Sequence, residues 1–127
     1  VRLDFLETGS PDCPLIRIYG NNPGVCQRLI QAMRQLADGN SDEFSVGDIL
    51  GVQPAESCVV IAKVGKWDSG VARVGRSVFH WVLTKGSWEN VGGLMQPFAE
   101  RLDCGFQWLD QTACGSVRVL ISADGRW

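Results

Sequence analysis

The order of the hydrophobic patterns constrains this chain most. They run strand, helix, strand, strand, helix, strand, with a further strand at each end. That order calls for helices laid over a sheet. Several of the strands are apolar on both faces. The face that the helices leave open therefore needs its own cover.

Residues 2–6 (RLDFL) alternate and are expected as an edge strand, and GSPDCP over 9–14 breaks it. In the strand at 15–19, Ile16 and Ile18 share one face; Leu15, Arg17 and Tyr19 share the other. Asn22 is placed to cap a helix. Pro23 suits its first position, because the missing N–H would be unpaired there anyway. Val25, Leu29, Ile30, Met33 and Leu36 form one helical stripe, and Asp38-Gly39-Asn40 ends it. Residues 40–56 read as a polar connection with one helical turn within 45–50. Cys58–Val64 is expected as a strand buried on both faces. Trp67-Asp68-Ser69-Gly70 is expected as a hairpin tip. The return strand is expected from Val71 through Thr84, bulged at Gly75, with Val78, His80 and Val82 on one face and Phe79, Trp81 and Leu83 on the other.

Lys85-Gly86-Ser87 reads as a turn. Trp88, Val91, Met95, Phe98 and Leu102 then recur at helical spacing, with Pro97 expected to kink the helix or delay its start. A hairpin of Phe106–Leu109 and Val117–Ser122 follows, around a loop over 110–115. No internal repeat, linker or low-complexity tract is read. From residue 15 onward the order is βαββαβ plus one strand. Its simplest packing is a single α+β domain of the ferredoxin-like type: an antiparallel sheet carrying two helices on one face, here with an extra strand at each end. Such a fold hosts many functions and selects none.

Composition narrows the function classes. The 127 residues carry 12 basic and 14 acidic side chains, a net charge of −2 and a pI near 5.3. The densest basic stretch, Lys63 to Arg76, holds Lys63, Lys66, Arg73 and Arg76. That is a thin footprint for nucleic acid. RNA-recognition-motif domains share the βαββαβ order and stack bases on strand aromatics, for which Tyr19, Phe79 and Trp81 are the counterparts. However, Arg76–Val82 lacks the glycine and aromatic spacing of their signature, so no membership follows and nucleic acid is not expected. No apolar run reaches the 18 residues of a membrane span, and no signal-peptide pattern is read. Val1 in place of Met points to processing or trimming. Five cysteines, an odd number without a C-x-x-C pair, fit a reducing compartment, and a cytoplasmic location is expected.

Sites of chemistry are few. His80 is the only histidine, which excludes a multi-histidine metal centre within one chain; neither metal nor cofactor is expected. An acid–base centre at His80 would need a carboxylate partner, with Asp68 the candidate. Its neighbours Val78 and Val82 favour a packed histidine instead. Cys13 and Cys114 lie in expected loops, but no pattern pairs either with a base. The loop before Gly24 lacks the Lys and hydroxyl of a phosphate loop. Trp67, beside Asp68 at an expected tip, has the character of an interaction anchor.

The expectation is a non-catalytic, oligomerising regulatory or small-ligand-binding domain. It would form a homodimer through its open sheet face, with Tyr19, Trp67, Asp68, Phe79, His80 and Trp81 as the interaction residues. The alternatives are a small enzyme centred on His80 and a protein-interaction module acting through Trp67-Asp68.

Overall fold

The computed structural model describes residues 1–101, 104–112 and 117–127. In chain order the elements are β1 (Arg2–Leu6), β2 (Leu15–Tyr19), α1 (Pro23–Asp38), β3 (Glu43–Ser45), a 3₁₀ turn (Val46–Asp48), β4 (Gln53–Pro54), β5 (Val59–Val64), β6 (Gly70–Arg73), β7 (Val78–Leu83), α2 (Lys85–Glu100), β8 (Phe106–Asp110) and β9 (Arg118–Ser122). Among the described residues the chain is α+β with two helices, as its pattern implies.

The helices obey local rules. The Asn22 side chain accepts from the Val25 N–H, Pro23 occupies the first turn of α1, and Gly39 closes the helix with a left-handed φ of 78°. Thr84 caps α2 by accepting from the Ser87 N–H, so Lys85–Ser87 form its first turn rather than a loop. Pro97 sits inside α2 without delaying its start. The carbonyl that its ring crowds belongs to Gly93, where no side chain must move with the backbone.

The strands do not form the single antiparallel sheet of a ferredoxin-like plait. Among the described residues they form two sheets, ordered β4-β1-β2-β9-β8 and β3-β5-β7-β6. Each has a parallel pair at its centre, β2 with β9 and β5 with β7, flanked by antiparallel partners. The expected hairpin of 58–64 with 71–84 is the point of departure. At Gly75 the chain reverses instead of bulging, since the Val74 and Gly75 N–H groups both donate to the Val78 carbonyl. That turn creates the short β6 and leaves β7 running parallel to β5. Residues 65–69 are then a crossing from β5 to β6 over the end of β7, not a hairpin tip. Nor is β1 an edge strand, because β4 pairs with it on its outer side.

A plan hidden in the sequence emerges. Residues 1–64 and 70–122 both run strand, strand, helix, strand, strand, apart from the two-residue β4. The registers coincide. Leu3 pairs Ile18 as Val71 pairs Trp81; Ile18 pairs Ile121 as Trp81 pairs Ala62; Phe44 pairs Ala62 as Gln107 pairs Ile121. The halves exchange their last strands, so each sheet draws strands from both. No repeat was legible because inward positions keep their apolar character and lose their identity: Ile18 answers to Trp81, and Ile16 to Phe79. The inner faces of both sheets and the facing sides of the two packed helices share one core.

Candidate functional site

The two sheets treat their outer faces differently. On the first sheet the outer row of β2 holds Leu15, Arg17 and Tyr19, beside Leu120 of β9. Leu15 and Leu120 are fully buried there. The segment Ala123–Trp127 folds back over this face. The Gly125 carbonyl accepts from Arg17 Nη1 at 2.8 Å, and Trp127 Nε1 donates to Asp12 at 3.0 Å. Gly125 has a φ of 88°, and a Cβ there would stand 3.2 Å from both Arg17 Nη1 and the Tyr19 ring, so glycine is required twice over. Asp4 receives two bonds from Arg17, at 2.7 and 3.1 Å, and the guanidinium lies 4.0 Å over Tyr19. The hydrogen bonds that the guanidinium donates to Asp4 favour its charged form and raise its pKa, against the opposing effect of burial. Tyr19 is therefore part of an internal cover.

The outer face of the second sheet has no such cover among the described residues. Val59, Ile61, Val78, His80 and Val82 lie on it, all partly exposed. Across the strands His80 stands between Ile61 of β5 and Ala72 of β6. It makes no side-chain hydrogen bond to any described residue. The crossing 65–69 runs beside Val82, where a Cβ on Gly65 would come within 2.5 Å of a Val82 methyl. This brings Trp67, 71% exposed, to the rim of the same face.

Asp68 is engaged elsewhere than at His80. Oδ1 accepts from the Thr84 N–H at 2.9 Å and from its hydroxyl at 3.0 Å, and Oδ2 accepts from the Ser87 hydroxyl at 2.7 Å. The carboxylate thus latches the crossing to the first turn of α2. These bonds, the one from the Thr84 backbone foremost, hold its carboxyl below the usual range. A depressed carboxylate lends stability above its unfolded value of about 3.9 and loses it as pH falls through the folded value. Asp68→Ala is expected to lower stability by about 1 kcal/mol at neutral pH, and by less below pH ~4. Urea unfolding at both pH values measures this, and a difference that does not shrink in acid would contradict the latch.

Of the six residues expected to act together, only His80 and Trp67 belong to the outer face of the second sheet and its rim, while Asp68 is turned to α2. Phe79 and Trp81 point the other way and are fully buried, Phe79 against Phe5 at 4.6 Å and Trp81 against Trp88 at 4.7 Å. The acid–base pairing of His80 with Asp68 is absent. Cys26 and Cys58 are buried, and burial pushes the Cys58 thiol up to about 11, far from a nucleophile's value. Cys114 and Leu102 lie outside the described residues.

A second region went unseen in the sequence. Where β1 leaves the first sheet and the β6–β7 turn leaves the second, a cleft of about 400 Å³ opens between Phe5, Glu7, Glu56, Cys58, Arg73 and Arg76. The basic stretch ending at Arg76 was its one sequence signal. Its acidic members, Glu7 and Glu56, carry no local pattern.

No described helix is long and apolar enough to cross a membrane. No cluster of three or more histidine, cysteine or acidic side chains suited to a metal occurs among the described residues. Comparison with models of protein families, with curated proteins and with solved structures finds no match to this chain.

Proposed function

We propose that this chain is a non-catalytic binding domain that pairs with a second copy of itself through the outer face of its second sheet, in the manner of a regulatory module. The observation that carries the reading is the contrast between the two sheets. The first has its outer face closed by Ala123–Trp127, with Leu15 and Leu120 buried. The second presents Val59, Ile61, Val78 and Val82 around His80, with Trp67 at the rim.

A second copy fits this face better than a charged partner does. The centre is an aliphatic surround of His80. The ion pair it carries, Lys63 with Glu43 at 3.9 Å, is internally neutral. An isologous pairing brings each apolar row onto its own equivalent.

Magnitude sets the strength. Completing the burial of four aliphatic side chains, each at most about a third exposed, and of one exposed tryptophan, on both copies, contributes up to about 12 kcal/mol. Association itself costs at least about 4 kcal/mol. The dimer should then dissociate between roughly micromolar and millimolar concentration. Light scattering from about 10 µM to about 1 mM is expected to show the mass rising toward twice that of the monomer. Ile61→Glu, with unchanged circular dichroism, should stay monomeric throughout. A wild-type mass that remains monomeric up to the highest concentration would overturn the pairing.

A further inference from the structure

The cleft between the sheets supports an inference independent of that pairing. We infer that it binds a small zwitterion, an α-amino acid with an apolar side chain. The argument is one of unmatched charge. Asp4 at the cleft wall is matched by Arg17 at 2.7 Å. Glu7 is matched by Arg73 at 3.1 Å. Arg73 is held further by two bonds to the Arg76 carbonyl and lies 4.9 Å over the Phe5 ring. Two charges remain, the Arg76 guanidinium and the Glu56 carboxylate. Neither makes an ion pair or side-chain hydrogen bond with any described residue, and both line the same cleft.

One free charge of each sign selects the ligand class. A simple anion would meet Arg76 but be repelled by Glu56, and a simple cation would meet the reverse. A molecule carrying both charges satisfies both. Guanidinium takes a carboxylate in a two-pronged geometry that no neutral acid derivative reproduces. Phe5, Leu6 and Cys58 offer an apolar wall for a side chain. The volume, about 400 Å³, lies at the small end of ligand sites and suits an amino acid better than a nucleotide.

The backbone holds Glu56 in place at a cost. Glu56 and Ser57 have φ of 52° and 59°, and the Cys58 N–H donates to the Ala55 carbonyl across them. Two successive left-handed residues at the centre of a turn normally call for Asn-Gly. The Glu-Ser pair here costs about 1–2 kcal/mol per residue. Strain of this kind collects at functional sites. The turn sets Glu56 in the lining of the cleft that Arg76 also lines.

The test is a ¹H–¹⁵N NMR titration of the full chain with L-leucine, L-methionine and L-phenylalanine. At least one should shift the amides of Glu56, Ser57, Arg76 and Ser77 with a dissociation constant on the order of 1 mM or tighter. N-acetylation or amidation of that amino acid removes one charge, and each should weaken binding roughly tenfold or more. Arg76→Ala and Glu56→Gln alter exposed side chains that make no hydrogen bond to a described residue, and should abolish the shifts in a folded protein. Absence of shifts with all three, or equal binding of the blocked derivatives, would overturn the inference.

Discussion

Cut between Gly65 and Lys66, neither half of this chain is expected to fold alone. Each sheet takes its two central strands from different halves, β2 with β9 and β5 with β7. The fragment 1–65 would keep the β1–β2 and β3–β5 pairs, each missing its central neighbour. Isolated two-stranded pairs are marginal in water. Helix α1 would lose α2, its main helical partner. Ile16, Ile18, Val60 and Ala62, all buried in the intact chain, would face solvent. Each large side chain re-exposed forfeits about 1.5–3 kcal/mol, against a total stability of roughly 5–15 kcal/mol for a domain. Circular dichroism of either fragment should show a disordered chain without a cooperative melt, and equimolar mixing should restore the spectrum of the whole. A fragment that melts cooperatively by itself would show that the exchanged strands are not the basis of stability.

This interdependence explains what the sequence could and could not disclose. Elements set by local chemistry were legible. Asn22, Pro23 and Gly39 bound α1 as their side-chain and backbone preferences dictate, and the Val25–Leu36 stripe faces the core. The face of each long strand was also legible, because alternation places Phe79 and Trp81 opposite Val78 and His80 whatever the partner strand. Strand pairing was not. It turned on whether Val74–Ser77 bends by one residue or reverses, a choice between a bulge and a tight turn that Gly75 permits equally.

The site followed the same division. Trp67 and His80 were found because aromatics and a lone histidine stand out. Their shared face depends on the crossing beside Val82, which exists only once β5 and β7 run parallel. Burial of Phe79 and Trp81 among the expected interaction residues arose from assigning an open face before knowing that there were two sheets. Glu56 and Arg76 line one cleft from turns twenty residues apart in sequence. Neither turn carries a signal for the other.

Replacing Trp81 should produce the largest loss of any single substitution. Its side chain is fully buried, meets Trp88 edge-on at 4.7 Å, and donates Nε1–H to Asp110 Oδ2 at 2.7 Å. Asp110 is only 6% exposed. A register shift between Trp108 and Asp110 irregularly places Leu109 and Asp110 side by side as buried residues, and so turns a carboxylate toward the core. Its other oxygen accepts from the N–H and hydroxyl of Thr112. Trp81→Ala leaves a cavity costing about 3–5 kcal/mol. It also orphans a buried carboxylate oxygen, at about 1–3 kcal/mol more. Set against a domain's stability of roughly 5–15 kcal/mol, that is enough to unfold a substantial fraction of the protein.

Trp81→Phe separates the two contributions, because it keeps an aromatic ring in the core and removes the donor. It should cost about 1.5–3 kcal/mol beyond its small cavity. Combining it with Asp110→Ala should cost less than the two single substitutions together, since the double variant leaves neither partner of the indole–carboxylate bond unpaired, and the loss of the Thr112 bonds is common to both Asp110 variants. Strict additivity in urea unfolding of the four proteins would mean that the indole–carboxylate bond adds nothing, and that Trp81 stabilises the core by packing alone.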